Sequence, residues 1–318
     1  MRVDTGARVD TGARVDIGAR VDIGARVDSM ARVGVREDDT VSAAKSPVRV
    51  GRIEFVNCFP LYAHFEEELE ARGVAADVLS GHPAALNEML VRGEIDVALP
   101  SSIEFARHAA DLVLLPRLSI SALGAIDSIQ LFSKVPVKEV ASVALTEKSA
   151  TTVVLLKALC AEWDIAPRFA PREGPLAEAL ARFDALLLIG DEAMHVLRAR
   201  VYPYAYDLGA VWRDVTGLPM VYAVLAARRD FVAARPAHAA AVEAALIASK
   251  DRCAAEPEVT AAQAAIRYDF SAAFLLDYFD RLKYGFGDEY RRGLEEFYRR
   301  AAAIGELDSV PAIGGAVP

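Results

Sequence analysis

From Val48 onward, short β-rich runs alternate with helical patterns, and nothing else in the sequence restricts the fold as strongly. Val48 to Val56 reads as a first strand, broken by Asn57-Cys58-Phe59-Pro60. Leu61 to Ala71 then has helical spacing. "VAADVLSG" is a second strand, and "HPAALNEMLVRGE" is a helix that stops at Gly93. "IDVALPSS" is a third strand with Ser101 and Ser102 at its carboxyl end, "IEFARHAADL" is helical, and "LVLLPRLSISA" is extended. "DSIQLFSKVP" alternates and leads to Pro136, after which the rhythm restarts. Strand "SVALT" is followed by a helix over Ser149–Trp163, then "RFAP", helix "PLAEALAR", strand "DALLLIGD" and helix "EAMHVLRAR". "YAYDLGAVWRDVTGLPMVYAVLAAR" reads as loops and strands, and Arg235 to Ile304 as almost wholly helical.

Such alternation calls for an α/β fold with largely parallel sheets. The restart predicts two lobes, the second inserted into the first. Lobe 1 takes residues 48–135 and 225–318, and lobe 2 takes 136–224. The chain would cross near Phe132–Val137 and return near Tyr222–Ala227. Two crossings make a hinge, and strand carboxyl ends face the cleft between lobes.

The first 47 residues stand apart. Arg2 to Ala31 is a tandem hexapeptide: RVDTGA twice, RVDIGA twice, then RVDSMA. Too few units and too little apolar content are present to close a β-helix, so this region reads as a disordered low-complexity tail. The tail is neutral, and residues 49–318 carry the whole net charge of −9. That balance excludes a nucleic-acid partner recognised through a basic field. No apolar run reaches the roughly 18 residues of a membrane span, and the N-terminus lacks the apolar region of a secretory signal. Cys58, Cys160 and Cys253 are widely spaced and odd in number, which argues against a disulfide framework or zinc site and predicts a cytoplasmic protein.

Polar residues gather at the strand ends. Ser149-Ala150-Thr151-Thr152 opens a buried-looking helix, and the residue where a capping box wants Glu or Gln is Thr152. Those hydroxyls either cap the helix and nothing more, or hold an anion at its N-terminus. Ser101 and Ser102 pose the same alternative. Asn57 serves a turn or presents an amide that both donates and accepts. Gly190-Asp191 ends a strand, where Gly permits close approach of a ligand and Asp191 suits a helix cap. Cys58 reads as a packed thiol. His64, His82, His108, His195 and His238 are dispersed without metal-ligand spacing, and no phosphate-binding loop, dinucleotide fingerprint or nucleophile elbow is present. No metal or cofactor is therefore expected.

"VNCFP", "GEIDVALPSS", "IDSIQLFSK", "KSATTVVLL" and "LLLIGDEAM", in this order, resemble chorismate dehydratases of the futalosine route to menaquinone. The resemblance runs over roughly residues 48–305. It implies a type II periplasmic-binding-protein fold, chorismate as substrate, and loss of water to give 3-[(1-carboxyvinyl)oxy]benzoate; a monomer or homodimer is expected. It also implies roles. Asn57 matches the motif asparagine that orients the substrate, and Ser128 a motif serine that contacts the substrate or its departing hydroxyl. Ser101, Ser102, Thr151 and Thr152 would hold carboxylates, with Ser149 and Gly190 beside them. The family proposal that the substrate's own enolpyruvyl carboxylate takes the proton agrees with the lack of an obvious protein base. Three other readings compete: the sibling 1,4-dihydroxy-6-naphthoate synthase, a solute-binding protein of a transporter, and a cytosolic ligand sensor. The sibling family tends to carry histidine where this chain has Gly190, and the transporter reading needs an export signal or lipid anchor.

Overall fold

The structure, a computed structural model, describes residues 46–313. The hexapeptide tail expected to be disordered lies outside the described residues, except for Ser46 and Pro47 at its end. Among the described residues, eleven strands form two sheets. They are β1 (Val48–Ile53), β2 (Ala76–Gly81), β3 (Val97–Ala98), β4 (Leu112–Ala122), β5 (Ile129–Ser133), β6 (Ser142–Leu145), β7 (Arg168–Pro171), β8 (Ala185–Ile189), β9 (Tyr204–Asp207), β10 (Met220–Arg228) and β11 (Leu282–Gly285). The first sheet has the order β11-β4-β10-β3-β1-β2, and the second β7-β6-β8-β5-β9.

Both sheets are mixed rather than largely parallel. β1 runs parallel to β2 and β3, but β10 is antiparallel to β3 and β4. β6 runs parallel to β7 and β8, but β5 is antiparallel to β8 and β9. The antiparallel members follow from the crossings: a chain that leaves one sheet and returns re-enters against the direction of the βα units. β8 and β10 read as near-continuous apolar runs because both faces of each are covered, whereas β5 alternates yet is buried throughout.

The crossings lie earlier than expected. Ile129–Ser133 pairs on both sides within the second sheet, Ile129 with Ile189 and Gln130 with Asp207, so it is no connector. The outgoing crossing is Leu123–Ser128. All of β10 belongs to the first sheet, which puts the return ahead of Met220. The return begins with a helix, Leu208–Thr216, in a stretch whose pattern is that of loop and strand. Its signals are standard ones: Asp207 caps it, and Gly217 closes it at φ 70°.

Asp207 also joins the two crossings. Its Oδ1 accepts from the amides of Gly209 and Ala210, both at 3.0 Å. Its Oδ2 accepts from Ile126 N–H at 3.0 Å, Asp127 N–H at 2.7 Å and Gln130 Nε2 at 2.7 Å. Burial pushes this carboxyl above the usual range, and the backbone donors pull against that rise. Asp127 itself takes a left-handed φ of 62° and pairs with Arg281.

The C-terminal helices Pro236–Ala255, Pro257–Arg267, Ala272–Arg281 and Asp288–Ala303 complete the first lobe. The short edge strand β11 interrupts this stretch that the sequence presents as helical. No helix among the described residues is long and apolar enough to cross a membrane.

Candidate functional site

A cavity of about 60 Å³ lies between the lobes at the strand ends, and six of the eight expected residues line it: Asn57, Ser101, Ser128, Ser149, Thr152 and Gly190. A larger groove, about 850 Å³, runs along the C-terminal helices past Cys253, Lys283 and Tyr284. None of the strand-end residues lines that groove, so convergence of polar groups rather than size marks the site.

Asn57 follows β1 in a single 3-10 turn, Val56–Cys58. Tyr284 holds it in place, its hydroxyl donating to the Asn57 carbonyl at 2.7 Å. The Asn57 side-chain Oδ1 is buried and has no hydrogen-bond partner. A buried amide oxygen without a donor is costly unless something outside the chain supplies one.

Ser128 stands at the end of the outgoing crossing. Tyr278 donates to its Oγ at 2.9 Å, and its carbonyl accepts from Gly190 N–H at 2.7 Å. Because Oγ is already an acceptor for Tyr278, the Ser128 hydroxyl proton is left to donate. Gly190 has a φ of 62°, and a Cβ there would meet the Phe55 ring at 3.2–3.3 Å. Glycine is required twice over, by its backbone and by the ring packed on it. Phe55 also lines the cavity and lies against His82, with ring centroids 5.7 Å apart.

Ser149 does cap its helix. Its Oγ accepts from Thr152 N–H at 3.3 Å and sits 3.0 Å from Thr152 Oγ1. Capping and cavity lining coexist in this residue, so the two readings of the hydroxyl knot are not exclusive. Ser101 makes no side-chain cap for the helix Ser102–Arg107. Its N–H instead donates to Asn87 Oδ1 at 3.1 Å.

Ser102 and Thr151, also expected to hold carboxylates, are not among the residues that line the cavity. Both are fully buried where the helices Ser102–Arg107 and Ala150–Glu162 meet. Ser102 Oγ donates to the Val221 carbonyl at 2.8 Å, which uses its only proton. Thr151 Oγ1, 3.2 Å away, must therefore donate to Ser102, and it accepts from Ile103 N–H at 3.1 Å. This chain of hydrogen bonds clamps the two lobes together and leaves no donor for a ligand.

Cys58 is buried beside Asn57, and burial pushes its thiol up, away from the thiolate form. Asp191 accepts from Val56 N–H at 3.3 Å across the cleft, and burial raises its carboxyl too. Lys148 lies near the cavity but pairs with Glu192 at 3.5 Å, and Glu192 is also gripped by Arg172 at 2.6 and 3.1 Å. Among the residues that line the cavity there is no Lys, Arg, His, Asp or Glu. The sole titratable side chain there is Tyr222, which sequence reasoning missed. Among the described residues, no three His, Cys, Asp or Glu side chains are grouped as metal ligands.

Two α/β lobes with polar groups converging at strand ends define the class of periplasmic-binding-protein-like folds, and solved structures share it. An Archaeoglobus fulgidus protein superposes with a TM-score of 0.65 at 16% identity, covering 82% of this chain and 98% of its own. A Candida albicans protein described as having the generic periplasmic binding protein fold gives 0.63 at 11% identity, over 83% and 93%. These likenesses concern the fold. The relatives by sequence are more specific. A chorismate dehydratase from Thermus thermophilus is 35% identical over 274 residues, 81% of this chain and 96% of the relative. One from Campylobacter jejuni is 29% identical over 175 residues, 54% and 64% of the two chains. Residues 48–303 match the family described as menaquinone biosynthesis, and the chain belongs to that family.

Proposed function

We propose that the chain is a chorismate dehydratase, and that Asn57 and Ser128 handle the hydroxyl that leaves. The observation that carries this is the unpartnered Asn57 Oδ1 in a cavity lined by neutral donors. At neutral pH both carboxylates of chorismate are ionised and accept only. Its ring hydroxyl is then its one O–H donor. An amide oxygen only accepts, so the hydroxyl is the group of chorismate that satisfies Asn57. Ser128, oriented as a donor by Tyr278, suits the oxygen of the same hydroxyl.

The remaining donors suit the carboxylates. Ser101, Ser149 and Thr152 line the wall from both lobes, and the Ala150–Glu162 helix adds its positive end. In the reaction, the ring carbon that bears the ether loses its proton, and the electron pair delocalises onto the ring carboxylate. The C–O bond to the hydroxyl then breaks and the ring aromatises. Donors on the ring carboxylate stabilise the charge as it develops. No ionised side chain lines the wall to act as base. A substrate carboxylate in a cavity without a cation is more basic than in water. The enolpyruvyl carboxylate thus takes the proton and passes it to the departing oxygen, which leaves as water.

The test is to incubate residues 48–318 with chorismate and follow mass and ultraviolet absorbance. Loss of one water with appearance of a 3-substituted benzoate is the expected result. Binding without turnover would overturn the reading in favour of a solute-binding role.

A further inference from the structure

β10 is buried along nearly its whole length and otherwise almost uniformly apolar, yet it carries a tyrosine at position 222. The Tyr222 hydroxyl is buried and has no partner in the protein. Buried hydroxyls without partners are uncommon in native proteins, because phenylalanine would fill the space at lower cost. The surroundings make room for this one. A Cβ on Gly209 would come within 2.7 Å of the Tyr222 oxygen and collide with the Gly124 carbonyl, so the glycine keeps the hydroxyl's place open. The nearby Asp207 does not satisfy it, since both carboxylate oxygens already serve the five donors of the hinge. Tyr222 is among the residues that line the same cavity as Asn57 and Ser128.

The geometry points to Tyr222 as a further substrate-contacting residue, its phenolic O–H donating to a substrate oxygen that bears negative charge. This rests on the dehydratase reading above. Two oxygens qualify: a carboxylate, charged from the outset, and the departing hydroxyl, charged only as the C–O bond breaks. Burial drives the phenol's ionisation well above its ordinary range, so the group stays protonated and serves as donor, never as base.

The variant Tyr222→Phe tests this with two readouts. Loss of one hydrogen bond to a charged oxygen is expected to lower kcat/KM by about 10- to 100-fold. Melting of the ligand-free variant is expected at the wild-type temperature or above it, since an unsatisfied group has been removed. A rise in KM assigns the contact to a carboxylate, and a fall in kcat at unchanged KM assigns it to the departing oxygen. Wild-type kcat/KM, or a ligand-free melting temperature lowered by several degrees, would overturn the proposal. If the wild-type chain itself leaves chorismate unchanged, the dehydratase reading fails separately, and the ligand-free melting temperature still decides whether the hydroxyl lacks a partner.

Discussion

Ser101 and Ser102 are neighbours in sequence, as are Thr151 and Thr152, yet the members of each pair meet different surroundings. Ser101 and Thr152 line the inter-lobe cavity, whereas Ser102 and Thr151 bond to each other and to backbone in a dry contact between helices. The difference is geometric. Successive residues entering a helix project about 100° apart, so two adjacent hydroxyls do not both face one small cavity. A run of Ser and Thr at a helix start thus divides between a face that meets ligand and a face that meets protein.

The largest expected effect lies on the cavity side. Asn57→Asp puts a charge where a dianion must sit and is expected to lower kcat/KM by about 100-fold or more. The new carboxylate takes a buried position with no cation beside it, so a modest fall in melting temperature is expected while the fold stays intact. Full activity in this variant would remove Asn57 from the site.

Thr151→Val and Thr152→Val sharpen the contrast directly. The first strands the buried Ile103 N–H and is expected to cost about 1–3 kcal/mol of stability by denaturant titration, with KM little changed. The second removes a cavity donor and is expected to raise KM about tenfold, with a smaller loss of stability from the Ser149 contact. If the two variants behave alike, the division between faces is wrong. Gly190→Ala should cost about 1–2 kcal/mol through its left-handed backbone, with a further loss of turnover as Phe55 is pushed into the cavity.

The smallest effect is a near absence of one. Tyr222 is the sole titratable group on the wall, and its ionisation is displaced upward, away from neutrality. kcat/KM is therefore expected to vary less than about twofold between about pH 6 and pH 9. A limb near neutrality in the pH–rate profile would reveal a histidine or carboxyl base and would contradict the substrate-base mechanism.

Much of the molecule was legible where sequence signals are local. The βα rhythm, the strand ends and the positions of Asn57 and Gly190 follow from breaks in periodicity, whereas Ser128 was marked only by the family resemblance of its motif. Less was legible where the outcome depends on neighbours distant in sequence. β5 reads as a strand of the first lobe until its partners Ile189 and Asp207 place it in the second sheet. Leu208–Thr216 is short, includes Gly209 and Val211, and hides its helical nature behind β-like residues, although Asp207 and Gly217 mark its ends. Tyr222 is disguised by an apolar strand in which any aromatic reads as core. The facing of Ser102 and Thr151 is fixed by the docking of two helices from different lobes, which no local pattern encodes.

The cavity wall without cations has a kinetic consequence. Residues 49–318 carry all of the net charge of −9, so a doubly negative substrate approaches against repulsion, and the wall provides no cation to pull it in. Capture then relies on dipoles that act only at contact. Added salt, which shortens the range of charge repulsion below the roughly 8 Å found at physiological ionic strength, should speed encounter. An enzyme that draws an anion through a funnel of lysines and arginines slows down under the same treatment.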